Sequence, residues 1–294
     1  VSAARAGTNR AASVHARLLA RAKERGEDFN LVLTRYAVER FLYRLSISTA
    51  REQFLLKGAL LFDLWFDVPH RPTRDADFLG PGQSDATALA ETIRSVCALD
   101  IDDGMSYDSS TMAIEEIREE TNYGGLRVKL LAFLGNARSS LQLDVGYGDA
   151  VTPGPMDADY PTLLDDFPAP KLRVYPRETV AAEKLEAIVG LGIANSRMKD
   201  YFDLRALARE GALDARVLVT AIAATFQRRG TALRAAVPLG LTEAFATDPQ
   251  KRAQWKGFLA RNRIEAPSLD EVVAEVRAAF EMPLLDAGKA AKRS

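Results

Sequence analysis

Two runs of strict alternation, Leu126-Arg127-Val128-Lys129-Leu130 and Leu141-Gln142-Leu143-Asp144-Val145, constrain this chain more than anything else in it. A period of two fits a strand with one buried and one solvated face, so both are read as strands of one sheet. The alternating region extends over 112–148. Beyond Val174-Tyr175 the apolar spacing turns helical and stays so. It predicts helices over 178–191, 196–210, 215–228, 242–261 and 268–280. The last begins at Ser268-Leu269-Asp270-Glu271, the spacing of a capping box. Strands gathered in one part of the chain and helices in another predict an α+β fold.

The remaining elements follow from shorter signals. Val14, Leu18, Leu19 and Ala22 recur at helical spacing, and helices are predicted over 29–45, 59–66 and 86–98. Short strands are predicted over 54–56 and 75–79. Residues 1–7 and 288–294 show no pattern and are expected to be loose. The stretch 149–170, rich in Pro and Asp, is read as a long connection containing the domain boundary. The expected organisation is N-terminal helices (1–50), a core with the sheet (51–170) and a helical C-terminal domain (171–294).

Composition removes several classes of function. One cysteine, Cys97, allows no intrachain disulfide. With only two histidines, a structural zinc site is not expected. The longest apolar run, 130–134, falls far below the roughly 18 residues of a membrane span. The first residues lack the apolar segment of a signal peptide, so the expected location is cytoplasmic, with no membrane partner. A metal would have to be held by carboxylates, which favours a hard ion such as magnesium. Residues 171–294 contain 21 Lys and Arg against 15 Asp and Glu. That excess suits a polyanionic partner and equally suits an ordinary solvated surface.

The stretch most suggestive of chemistry is 54–79. Asp75 and Asp77, two apart on a strand, project to one side. Carboxylates so placed repel unless a cation lies between them, and Asp-x-Asp is a common way to hold magnesium on a nucleoside triphosphate (NTP). Gly58 opens a predicted helix, where backbone N–H groups can approach a phosphate. Asp144 stands in an otherwise apolar strand, facing away from Leu143 and Val145. If that strand lies beside Asp75–Asp77, three carboxylates converge. The simpler reading of Asp144 is a solvent-facing residue of an antiparallel sheet. Lys184, among Ala182, Leu185 and Ala187, can meet a triphosphate as a point charge. Asp200 and Asp203, three apart, share a helix face. The plain alternative for these three is a charged helix surface worth little energetically.

Taken together, Leu56-Lys57-Gly58-Ala59-Leu60, Arg71-Pro72-Thr73-Arg74-Asp75-Ala76-Asp77, Leu143-Asp144-Val145-Gly146, Ala182-Glu183-Lys184-Leu185 and Arg197-Met198-Lys199-Asp200-Tyr201-Phe202-Asp203-Leu204 resemble the AbiEii/AbiGii toxin family. This family, which includes the MenT-type toxins, lies within the polymerase-β-type nucleotidyltransferases. The resemblance implies a mixed sheet with flanking helices and a helical C-terminal domain that closes over the acidic face. It implies a magnesium-dependent toxin that moves a nucleoside monophosphate from an NTP to the 3′ end of tRNA and blocks translation. A cognate antitoxin is the implied partner. Asp75 and Asp77 would bind metal, with Asp144 as the third ligand. Lys184 would contact the nucleotide together with Lys57, Gly58, Ala59 and Thr73. Asp200 or Asp203 would be an essential acid, and Asp144, Asp200 and Asp203 are the candidate bases. Where the superfamily usually has Gly-Ser or Gly-Gly, this chain has Gly58-Ala59, leaving backbone donors alone to meet a phosphate. Arg228, Arg229, Lys251, Arg252, Arg261 and Arg263 are candidates for a basic border that meets RNA. A protein or small-molecule acceptor, and a non-catalytic nucleotide-binding module, are the other readings of the same residues.

Overall fold

The computed structural model describes residues 2–66, 70–118, 124–234 and 236–291. The chain divides into two compact units, one of residues 1–148 with 156–174 and one of residues 149–155 with 175–294.

The first unit is built on a seven-stranded mixed sheet. Its strands are β1 (Leu55–Lys57), β2 (Asp75–Gly80), β3 (Met105–Arg118), β4 (Gly124–Leu134), β5 (Ala137–Tyr147), β6 (Met156–Asp159) and β7 (Lys171–Val174), in the spatial order β3-β4-β5-β2-β1-β7-β6. β2 runs parallel to β5 and β1 parallel to β7, while the other neighbours are antiparallel. The sequence alternation becomes burial here. Leu141, Leu143 and Val145 are buried, whereas Gln142 and Asp144 between them are only partly so. Helices α1 (Ser2–Arg25), α2 (Phe29–Ile47), α3 (Phe62–Trp65) and α4 (Ala86–Cys97) complete the unit. Asp28 caps α2 by accepting from the Leu31 N–H, and Asp85 caps α4 through the amides of Thr87 and Ala88.

Buried charge fixes how α2 meets the sheet. Arg44 donates to both carboxylate oxygens of Asp103 and to the carbonyl of Met105 at the head of β3. Both side chains of that pair are buried. Such a pair adds little net stability over an apolar equivalent, but losing one partner strands the other charge in the core.

The second unit holds α5 (Arg177–Leu191), α6 (Met198–Glu210), α7 (Ala215–Arg229), α8 (Glu243–Thr247), α9 (Pro249–Asn262) and α10 (Leu269–Ala291). The capping box forms as read: both the N–H and the hydroxyl of Ser268 donate to Glu271. The α+β class is therefore borne out.

Several elements depart from expectation, each for a local reason. The helix expected over 59–66 is a 3-10 turn, Gly58–Leu61, followed by the single turn of α3. The helix expected over 242–261 is broken into α8 and α9, because Pro249 has no N–H to continue the ladder and Asp248 caps the new start. Within the stretch read as a long connection, Met156–Asp159 forms strand β6 on β7. Its alternation is only four residues long and lies between Pro155 and Pro161, and charged side chains are a common way to protect a sheet edge. The start expected to be loose is helical from Ser2, where Ala-rich sequence supports a helix without any apolar stripe. The end is helical through Ala291.

Candidate active site

Asp75 and Asp77 enter β2 alternating with buried Ala76 and Phe78, so both face the same, partly exposed side of the sheet. The parallel neighbour β5 sets Asp144 directly beside Asp77. One carboxylate oxygen from each of Asp75, Asp77 and Asp144 lies within 4.8 Å of the others. The expectation that β5 borders β2 is met, and the reading of Asp144 as an ordinary solvent-facing residue falls away.

Register extends this row across four strands. Lys57 of β1 pairs with Asp77, Asp77 with Asp144, and Asp144 with Arg127 of β4. The row thus carries two carboxylates flanked by two cations. Arg127 grips Asp144 with two hydrogen bonds, Nε to Oδ1 at 2.8 Å and Nη2 to Oδ2 at 2.6 Å. This fork raises the Arg127 guanidinium above its ordinary pKa against the modest cost of desolvation. Gln142 also donates to Asp144, at 3.3 Å. Thr73 donates its hydroxyl to Asp75 Oδ1 at 2.9 Å, orienting that carboxylate just before β2 begins.

Arg127 was not singled out from the sequence, although two signals together would have found it. The tight turn at Gly135-Asn136 pairs Leu134 with Ala137, and that closing pair fixes the whole hairpin register. Counting back along both strands then places Arg127 opposite Asp144.

Gly58 has a structural duty beside any role with phosphate. Its φ is +76°, and a Cβ at this position would lie 2.0 Å from Asp77 Oδ2 and 2.9 Å from Asp77 Cβ. The backbone of Gly58 is therefore the surface against which Asp77 rests, and only glycine leaves room for it. Ala59 follows in the 3-10 turn, and Lys57 is the last residue of β1.

The other predicted residues belong to the second unit. Lys184 on α5 donates to Asp200 Oδ1 at 3.1 Å and to Asp203 Oδ2 at 2.7 Å, both on α6. Arg197 donates to the other oxygen of Asp200 at 2.6 Å. Asp200 and Asp203 are fully buried and Lys184 is 8% exposed. These three do not form the solvated helix surface that was the plain alternative. Burial pushes the Asp200 carboxyl up, but Lys184, Arg197 and Lys199 outweigh it and hold the group below its ordinary value.

Part of the basic border expected from the sequence is spent inside the fold. Arg229 is enclosed by Asp149, Glu183 and Glu186, with contacts of 3.0–3.2 Å to each. Lys251 is 4% exposed and donates to the Asn195 carbonyl at 2.9 Å. Neither side chain is on offer to RNA phosphates. Arg252 stands half-exposed beside Asp270, and Arg263 closes α9 in the left-handed conformation.

Three carboxylates on one face of a mixed sheet, with hard oxygen donors turned the same way, define a class of site able to hold a divalent cation for chemistry on phosphate esters. The chain matches the family described as nucleotidyl transferase AbiEii toxin, type IV toxin–antitoxin system, over residues 40–281, and it belongs to that family. Two solved structures are similar in outline. One is a proposed nucleotidyltransferase from H. pylori, 16% identical, covering 89% of this chain and 96% of its own, with a TM-score of 0.48. The other is JHP933 from Helicobacter pylori, 15% identical, covering 90% and 94%, with a TM-score of 0.49. No curated protein matches the chain. No helix among the described residues is long and apolar enough to cross a membrane.

Proposed function

We propose that this toxin transfers a nucleoside monophosphate from an NTP to the 3′ end of tRNA, blocking translation, in the cytoplasm, and that a cognate antitoxin restrains it. The observation that carries the reading is the convergence of Asp75, Asp77 and Asp144 in a chain of the AbiEii nucleotidyltransferase family. The tRNA acceptor rests on the resemblance to the MenT-type members of that family.

The donor set fits magnesium, since all three side chains offer carboxylate oxygen and no softer ligand joins them. Asp75, Asp77 and Asp144 would hold the ion; when bound, it supplies positive charge to the phosphoryl group and orientation to the attacking hydroxyl. The remaining work falls to the chain. Thr73 and the Gly58 backbone set the two β2 carboxylates. Backbone N–H groups of the 3-10 turn after Lys57 are the donors for phosphate, with Lys57 and Ala59 flanking them. Lys184 gives a fixed positive charge to the nucleotide, its ammonium held by Asp200 and Asp203. Their full burial around Lys184 suits positioning that charge rather than meeting the 3′ hydroxyl.

The test is incubation with magnesium and each of the four labelled triphosphates, in separate reactions with tRNA, periodate-oxidised tRNA and total protein. Label is expected on intact tRNA only, and none when EDTA is present. Equal labelling of oxidised tRNA, or label confined to protein, overturns the tRNA reading.

A further inference from the structure

A second candidate site is a cavity in the first unit, four of whose lining residues, Arg21, Arg25, Arg35 and Glu39, precede the family match at 40–281. Arg21 and Arg25, one turn apart on α1, and Arg35 on α2 line one cavity of about 170 Å³ that opens to solvent. Like charges four apart on a helix repel, so Arg21 and Arg25 cost the free protein stability unless something answers them. Among the described residues Arg21 draws only longer-range attraction, from Glu27, Asp165 and Glu39. Arg21 and Arg25 make no hydrogen bond or ion pair there, and Arg21 Nε is buried without a partner. Arg35 reaches Glu27 only at 3.8 Å, too long for a hydrogen bond, and Glu27 Oε2 is itself unsatisfied.

The acids of the cavity are already engaged. Glu39 stands 2.7 Å from Arg40 Nη2 and accepts from the Leu163 N–H. Asp63 accepts from the Tyr160 hydroxyl at 2.8 Å. Burial also pushes the Glu39 carboxyl up to about 7, so its negative charge is weakened near neutrality. Arg21 is pulled below its ordinary value, first by burial and then by Arg25. The cavity therefore presents three guanidinium groups, while its two lining acids hydrogen-bond to other partners. Phe66 supplies an aromatic wall beside them.

We propose that this cavity binds a phosphate ester, with the phosphate gripped by Arg21, Arg25 and Arg35 and the organic part against Phe66. Guanidinium forks match phosphate oxygens in pairs, and a bound dianion removes the repulsion along α1. The site takes its phosphate from a free nucleotide or from a nucleic-acid strand, the same chemistry in either case. It stands independently of the nucleotidyl-transfer reading.

The experiment is calorimetric titration and thermal melting of the full chain in EDTA, with inorganic phosphate, adenosine 5′-monophosphate, adenosine and a short single-stranded RNA as probes. Saturable, salt-sensitive binding of at least one phosphate-bearing probe is expected, and adenosine should bind at least ten-fold more weakly than its monophosphate. Arg21→Gln and Arg25→Gln should each weaken binding roughly ten-fold or more. The unliganded melting temperature of both variants should be unchanged or higher, because no contact is lost. A purely structural arginine would instead lower it and leave phosphate binding alone. Asp75→Asn should keep the binding, which separates this site from the carboxylate row. Preference for RNA over the monophosphate names a strand as the source; parity names the free nucleotide. Absence of saturable binding by every phosphate-bearing probe, or arginine variants that bind like the wild type, overturns the proposal.

Discussion

The two carboxylate clusters of this protein solve the same electrostatic problem in opposite ways. Asp75, Asp77 and Asp144 sit on a partly exposed sheet face, gathered closely enough to share an outside cation. Asp200 and Asp203 are fully buried on a helix and share Lys184, a cation the chain itself supplies. The first keeps Arg127 on Asp144 and still leaves an open face, and the second is costly only if it is broken. Clustered acids alone therefore say little about function. What separates the clusters is exposure: the sheet acids can take a further cation from solution, while the buried acids take theirs from Lys184.

Substitution should split them. The largest expected effect is on catalysis in the first cluster. Asp75→Asn or Asp77→Asn should lower transfer about a thousand-fold or more, since a metal ligand contributes several kcal/mol to the transition state. The melting temperature should hold or rise, because a repulsion is relieved. A destabilised variant would show that the first cluster serves the fold rather than a bound cation.

Lys184→Met should do the reverse and strike stability first. Breaking a buried pair costs about 3–5 kcal/mol, read by denaturant unfolding. Its pH dependence sharpens the contrast. In the wild type the Asp200 carboxyl is held below its ordinary value, so its stabilisation is present above the unfolded-state value and lost as pH falls through the folded one. Without Lys184, Arg197 and Lys199 remain beside Asp200 but less charge opposes its burial, so this stabilisation on the acid side should shrink. An unchanged acid limb in the variant would break the comparison.

Two smaller effects probe the first cluster's supports. Gly58→Ala forces a Cβ into Asp77 and should cut transfer about ten- to hundred-fold, while Ala59→Gly should be nearly silent. Arg127→Gln removes the chain's own cation from Asp144. Divalent-metal affinity, followed by titration with manganese, should tighten about fivefold, the scale of a partly exposed charge pair. Weaker metal binding would mean that Arg127 chiefly orients Asp144.

The sequence made the first cluster easier to see than the second. Alternation marked β2 and β5, and an acid at an alternating position is conspicuous, so Asp75, Asp77 and Asp144 could be named before their geometry was known. What it could not give was depth. Lys184, Asp200 and Asp203 have the same composition as a solvated helix face, and burial depends on how α5 and α6 pack. Arg229 and Lys251 misled for the same reason: a basic residue near a helix end reads as surface until its carboxylate or carbonyl partners are seen. Strand β6 escaped because its alternation, Met156-Asp157-Ala158-Asp159, is only four residues long and lies between prolines. The register of the β4–β5 hairpin was legible in principle from its two-residue turn, and with it Arg127.

The chain's path between its two units sets an order of assembly. Strand β1 has only three residues, and it needs β7 on one side as well as β2 on the other. Residues 149–155 leave for the second unit before 156–174 return to finish the first sheet. The three acids sit on β2 and β5, which pair directly, whereas the far side of β1 stays open until the ribosome has passed Val174. Domains fold as units while translation proceeds at about 5–20 residues per second. A ribosome still making this toxin thus carries it with an open sheet, and an arrest before Val174 yields a product that holds Asp75, Asp77 and Asp144 but lacks the strand that flanks β1.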